Sequence, residues 1–274
     1  MALFTVDTEK CNKDGICAAE CPIKIIAIGD DGVPHPVDGA DALCIDCGHC
    51  VAVCPTAALS HKNLAPEDCL AVKKEWLPEP SSTEHFLRYR RSIRTYKDTP
   101  VDKETLEKLI HVARYAPSGH NTQPVKWQVI YGRADVTRLS GLVVDWMRYM
   151  IKKSPEFANA LHLDLVVGGW EFGMDTISRG APHLILANAP TANPSSPNAC
   201  VIAMTYLELA VPAFGLGACW NGFFNAAATH WAPLQEALGL ESGDANFAAM
   251  MVGHPKFKYH RMPERRMPEI KWEL

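Results

Sequence analysis

Two cysteine runs near the start of the chain, "CNKDGICAAECP" (11–22) and "CIDCGHCVAVCP" (44–55), combine residue types and spacing suited to binding metal. In the second, Cys44, Cys47, Cys50 and Cys54 precede Pro55, an unbroken C-x2-C-x2-C-x3-C-P of the kind that ligates iron–sulfur clusters. The first repeats the pattern with Cys11, Cys17, Cys21 and Pro22, but Asp14 stands at the second cysteine position. A carboxylate is a harder ligand than a thiolate and holds soft cluster iron less tightly. Asp14 therefore has two readings. It is either a ligand to a labile iron, in a cluster that interconverts between four-iron and three-iron forms, or a turn residue beside a cluster of three irons throughout. The competing use of these thiols is zinc, which takes four tetrahedral ligands, commonly as paired C-x2-C. Seven cysteines with two C-P ends suit zinc poorly.

The paired runs resemble the bacterial two-cluster ferredoxins over residues 1–62. In that arrangement the fourth cysteine of each run ligates the cluster of the other run. The resemblance implies one cluster held by Cys44, Cys47, Cys50 and Cys21, and another held by Cys11, Asp14, Cys17 and Cys54. A segment this small has little apolar core, so the clusters are expected to supply much of its stability.

Four further stretches bear on chemistry. "RYRRSIRTY" (88–96) gathers guanidinium forks and a hydroxyl suited to a phosphate monoester, although a run of charge also serves as a solvated face. "APSGHNTQP" (116–124) places small and amide residues where backbone can approach a flat ring, as an ordinary turn would too. "GLGACWNGFF" (215–224) has similar ingredients, and "PERRMP" (263–268) adds two arginines. In this order they resemble the nitroreductase family of flavoproteins over about 83–274, most specifically in R-x-S-x-R and A-P-S-x-x-N-x-Q-P.

That resemblance implies FMN, with Arg90, Arg91, Ser92 and Arg94 on its phosphate side. It implies that Pro117, Ser118, Gly119 and Asn121 line the isoalloxazine from the partner subunit of a homodimer. Trp220, Asn221 and Gly222 match the segment at the flavin N5 edge, where a backbone N–H is placed, and Arg265 or Arg266 would complete the phosphate or N1/O2 side. The family often has an aromatic after Q-P, where this chain reads "QPVKW", and Asn221 stands where some relatives have glutamate. Both departures bear on pocket shape and substrate. No catalytic acid is identified: His120, His230, Cys219 and Glu208 are each conceivable, and protons from the flavin or water are the alternative.

The elements that must position these residues are partly legible. Asp102 is placed to cap a helix over "KETLEKLIHVARYA", in which Leu106, Leu109, Ile110 and Ala113 recur at helical spacing, and Pro117 ends it. "WQVIYG" (127–132), "HLILANA" (183–189) and "AAMMVGH" (248–254) read as strands. The apolar stretch 199–219 contains Glu208 and Pro212 and reads as a buried core helix over roughly 198–211, not as a membrane span. It is also a candidate for part of a dimer interface. Residues 63–82, with three prolines and two serines, read as a linker, with Trp76 and Leu77 expected to pin it to the larger domain and Cys69 packed outside the ligand spacing. The expected fold is α+β, a nitroreductase-like α/β/α sandwich (83–274) with a ferredoxin-like iron–sulfur domain (1–62) ahead of it.

Composition sets outer limits. A formal charge of -4 over 274 residues and a pI near 6.3 invite neither nucleic acid nor anionic membrane. Residues 1–62 hold 4 Lys/Arg against 9 Asp/Glu, an acidic module on a near-neutral body. The N-terminus lacks the basic start and apolar core of a signal peptide, and seven clustered thiols suit a reducing cytoplasm.

The expected activity is an FMN-dependent oxidoreductase in which clusters relay single electrons to or from the flavin. Its substrate would be small and electron-poor, nitroaromatic or quinone-like, and its partner a low-potential electron donor or acceptor protein. NAD(P)H stays open as a donor, because the missing G-x-G-x-x-G does not exclude it. The alternatives are an electron-transfer protein or complex subunit without free substrate turnover, and another redox reaction of the superfamily such as dehydrogenation or dehalogenation.

Overall fold

Residues 2–273 are described by a computed structural model, in which contacts divide the chain into two units. The first comprises residues 2–78 with 120–122, and the second Glu79–Gly119 with 123–273.

The first unit is built from two antiparallel ribbons and three short helices. Strand β1 (Phe4–Val6) pairs with β4 (Leu59–His61), and β2 (Ile26–Ile28) with β3 (Pro34–Pro36). Helices α1 (Ile16–Glu20), α2 (Ala40–Leu43) and α3 (His49–Ala52) fill the connections. Gly48, between Cys47 and α3, has φ 72°, a left-handed turn that a side chain would strain. The core is small, with Leu3, Phe4, Ile25, Ile26, Val51 and Leu59 packed around Cys17 and Cys21. The linker segment contains two single 3-10 turns, Pro66–Asp68 and Lys74–Trp76. Trp76 and Leu77 are 73% and 64% exposed, and Lys73 Nζ sits 3.8 Å above the Trp76 ring.

The second unit is a four-stranded antiparallel sheet, ordered β5-β6-β8-β7, with helices on both faces. Its strands are β5 (Lys126–Tyr131), β6 (His183–Pro190), β7 (Gly217–Trp220) and β8 (Asp244–Gly253). Helix α4 (Pro80–Tyr89) begins inside the expected linker. Helix α5 (Lys103–Ala113) is capped by Asp102, whose carboxylate accepts the Thr105 N–H at 2.8 Å, and it ends four residues short of Pro117. Along the sheet, side chains alternate between two cores. Ile185, Ala187, Met250 and Val252 face α5 and α9 (Ser196–Ala210). Leu184, Leu186, Ala249 and Met251 face α6 (Arg133–Lys153), α8 (Leu163–Glu171), α10 (Gly222–His230) and α11 (Ala232–Leu238), with α7 (Pro155–Ala160) between α6 and α8.

Helix α9 with the 3-10 turn after it, Ser196–Phe214, is long and apolar enough by composition to cross a membrane. Cys200, Met204 and Leu207 are nevertheless fully buried against the sheet, the packing of a core helix. Its other face exposes Val201, Ile202 and Tyr206.

Candidate functional site

In the first unit, one cavity is lined by Cys21, Cys44, Cys47 and Cys50 together with His61. Chain crossing produces the grouping: Cys21 follows α1, whereas the other three flank and enter α3. Burial raises the Cys44 thiol above its ordinary range and the Cys50 thiol to about 11. At neutral pH these thiols keep their protons until a metal displaces them, so loading the site releases protons.

Cys17 lies near enough to Cys54 and to Asp14 to feel the charge of each. Cys17 is raised first by burial and further by the charges of Cys54 and Asp14. At Cys54 burial raises the thiol, but the Ala58 N–H donating to Sγ at 3.3 Å and the Thr56 hydroxyl at 3.6 Å outweigh it, and the net direction is down. Asp14 Oδ1 accepts the Ile16 N–H at 3.1 Å at the start of α1, which fixes the carboxylate and leaves Oδ2 to other partners. Cys11 is half-buried, and Cys69 packs against the small core of this unit, its Sγ 3.7 Å from the Ala65 carbonyl.

In the second unit, the arginine segment is stitched alongside β7. Ser92 bridges Ala218 in parallel, and the Ile93 N–H donates to the Ala218 carbonyl at 2.8 Å. Gly217 makes this approach possible, because a Cβ there would lie 2.5 Å from Ile93 Cγ1. Further along, the Tyr96 hydroxyl donates to the Ile93 carbonyl, and Lys97 and Thr95 bond the chain leaving β8.

This anchoring sends the arginines to different places. Arg90, Arg91, Arg265 and Arg266, joined by Arg88, line one pocket of about 520 Å³ between the end of α4 and the C-terminal segment. The Arg91 Nε is buried and has no hydrogen-bond partner among the described residues, while its guanidinium lies 5.7 Å from the Tyr259 ring centre. Arg90 Nη1 donates to the buried Glu208 carboxylate at 2.8 Å, and the other Glu208 oxygen accepts Trp220 Nε1–H at 3.0 Å. Arg94 instead borders a second cavity, of about 420 Å³, with Trp220, Asn221, Gly222 and Arg179.

The 220–222 segment joins β7 to α10. The Asn221 side chain accepts the Phe224 N–H and donates to Ser178 Oγ, and its own N–H is taken by the Ala249 carbonyl. Asn221 is thus committed to holding the segment. The N–H of Gly222, first residue of α10, has no intrahelical partner. In the loop 116–124, the Ser118 hydroxyl accepts the Gln123 N–H at 2.9 Å, and Gly119–Asn121 form a 3-10 turn. Pro117, Ser118 and Gly119 belong to the second unit; Asn121 groups with the first, donating through Nδ2 to the Ile45 and Asp46 carbonyls at 3.1 and 3.0 Å.

Sequence reasoning left Glu208 as one of four conceivable acids, yet the fold commits both its oxygens to Arg90 and Trp220. His61 and Tyr259 were not anticipated. Neither sits in a motif, and only the folded register brings them to the sites.

Comparison with known proteins places both halves. A family model described as "Nitroreductase family" matches residues 87–254, and one described as "4Fe-4S dicluster domain" matches 9–59. A "Ferredoxin 7Fe" of Hydrogenibacillus schlegelii is 42% identical over 65 residues, covering 23% of this chain and 78% of that protein. An "NADH dehydrogenase" of Thermus thermophilus is 27% identical over 195 residues, covering 65% and 90%. A crystal structure of a nitroreductase with bound FMN from Desulfitobacterium hafniense shares the fold, with a TM-score of 0.54 at 19% identity over 69% of this chain and 98% of that one.

Proposed function

The chain belongs to the nitroreductase family, with a 4Fe-4S dicluster domain ahead of the family domain, and from that premise we propose an FMN-dependent oxidoreductase fed by its own iron–sulfur clusters. The clusters relay single electrons to or from FMN, and the substrate is a small electron-poor organic molecule, nitroaromatic or quinone-like. The carrying observation is the coexistence, in one chain, of a four-cysteine cavity and an arginine pocket lined by Arg91, whose buried Nε has no partner among the described residues.

The residues fit both groups. Arg91 Nε is a buried donor waiting for an acceptor, and an isolated unpaired donor of this kind is costly unless a ligand satisfies it. With Arg265 and Arg266 it suits the FMN phosphate. Arg90, tied to Glu208, lends its remaining guanidinium N–H groups to the same pocket. The family resemblance implies the phosphate side for Arg94; because it borders the second cavity with Trp220 and Asn221, we assign it instead to the N1/O2 side, where a cation favours negative charge. The Gly222 N–H serves the N5 edge, since that of Asn221 is taken. Pro117, Ser118 and Gly119 cover the ring from the partner subunit of a homodimer, for which the exposed face of α9 offers an apolar surface.

When bound, FMN exchanges electrons singly with the clusters and in pairs with a substrate. Cys21, Cys44, Cys47 and Cys50 hold one cluster, and Cys11, Asp14, Cys17 and Cys54 the other. Seven irons, as in the name of the Hydrogenibacillus relative, correspond to one four-iron and one three-iron cluster, and Asp14 marks the site with the weaker iron. A low-potential protein is the donor in a cytoplasmic setting, with NAD(P)H the competing source. The cavity of about 420 Å³ beside Trp220 favours turnover of a free substrate over a purely electron-carrying role.

The test is anaerobic reconstitution with iron, sulfide and FMN, followed by photoreduction and addition of a nitroaromatic. Reoxidation of flavin and cluster absorbance together supports the reading; reduced protein that ignores nitroaromatics and quinones alike refutes it.

A further inference from the structure

His61 ends β4 and is 8% exposed, with its imidazole turned into the cavity lined by Cys21, Cys44, Cys47 and Cys50. The register Phe4↔His61 between β1 and β4 sets its position, together with two backbone bonds, from the His61 N–H to the Leu64 carbonyl and from the Lys62 N–H to the Leu3 carbonyl. The ring's orientation and tautomer follow from its partners. The Asn63 N–H donates to Nδ1 at 3.2 Å, so Nδ1 must present a lone pair and the ring hydrogen resides on Nε2. That Nε2 lies 3.6 Å from Cys44 Sγ and 3.3 Å from Asp46 Oδ1. Asp46 is itself held by Asn63, whose Nδ2 donates to Oδ2 at 3.2 Å.

Cys44, Asp46 and His61 are close enough to suggest a separate metal site. The tautomer argues against it: a ligating nitrogen needs its lone pair, and at Nε2 that position carries hydrogen. The group is better described as a hydrogen-bond donor shared between a cluster thiolate and a carboxylate.

We propose that His61 is a positioning residue for the Cys44 ligand, its Nε2–H donating to Cys44 Sγ and raising the reduction potential of that cluster, while Asp46 competes for the same hydrogen and lowers it. The physical basis is that hydrogen bonds to cluster sulfur offset the negative charge gained on reduction, whereas a nearby carboxylate opposes it. His61 and Asp46 thus set the potential of one cluster in opposite directions and leave the Asp14 cluster alone. The inference rests on the reading that these four cysteines hold an iron–sulfur cluster.

The experiment is a redox titration of the full reconstituted chain at one fixed pH, followed by electron paramagnetic resonance, with iron and sulfide measured in each sample. His61→Leu is expected to disfavour reduction of the all-cysteine cluster about tenfold, equivalent to about 59 mV for one electron. His61→Gln, whose amide restores an N–H donor, recovers part of that shift. Asp46→Asn, a substitution at a half-exposed position, shifts the same cluster the other way, and the Asp14 cluster serves as internal reference. Wild-type potentials in His61→Leu and Asp46→Asn at full iron content overturn the role of His61 and keep the cluster reading. Iron too low for a cluster on Cys21, Cys44, Cys47 and Cys50 in the wild type overturns both.

Discussion

Arg90 and Arg91 are adjacent in sequence and opposite in circumstance: one is paired with a buried carboxylate, the other keeps a buried nitrogen without an acceptor among the described residues. Arg91→Ala should therefore weaken FMN binding by the worth of a charge-assisted hydrogen bond, about 1.5–3 kcal/mol, or roughly tenfold to a hundredfold in Kd. Quenching of flavin fluorescence on titration measures it, and unchanged affinity would remove Arg91 from the site. At the other end of the chain, if Asp14 is a ligand, Asp14→Cys supplies a fourth thiolate and should give a stable four-iron cluster there, with loss of any three-iron resonance signal. An unaltered spectrum would leave Asp14 as a turn residue. These residues stand out in the sequence because ligand runs and guanidinium clusters announce a candidate chemistry through spacing. Glu208 and His61 were not, since each acts through neighbours 118 and 17 positions away in sequence.

The elements show a parallel division. Helix α5 and strands β5, β6 and β8 were readable from apolar period and capping, with ends shifted by a few residues. Strand β7 has no signal in the sequence, because "GACW" is short and begins with glycine; what makes it a strand is pairing with β8 and close packing of Ile93 on Gly217. Gly217→Val should force that contact apart, destabilising the body by about 1–3 kcal/mol and weakening FMN binding with it. Denaturant unfolding alongside flavin titration checks both. His183 on β6 supplies a second test. Burial, then the charge of His254, lowers its pKa to about 4, and its Nε2 accepts the Val101 N–H at 2.9 Å. The native ring is neutral while the unfolded ring takes a proton near about 6.5, so stability is full above that pH and falls toward pH 4, by about 3 kcal/mol over the window. His183→Gln should flatten this slope in unfolding midpoints measured at neutral and acid pH.

At the scale of the whole molecule, the division into an acidic cluster module and a near-neutral body follows from composition alone, with 4 Lys/Arg against 9 Asp/Glu in residues 1–62. A donor protein that docks on the acidic module should transfer electrons more slowly as salt rises. A rate independent of ionic strength would rule out electrostatic docking. The sequence does not disclose substrate, because pocket shape depends on side chains such as Arg179 and Trp220 that only the fold assembles. The central claim is that clusters and flavin form one electron path within the chain. Anaerobic stopped-flow reduction by a low-potential ferredoxin-type donor, following cluster and flavin absorbance separately, tests it most directly. Cluster bleaching before flavin reduction, with both bands restored by a nitroaromatic, is the predicted result. Flavin reduction and reoxidation at full rate while the clusters stay oxidised would contradict it.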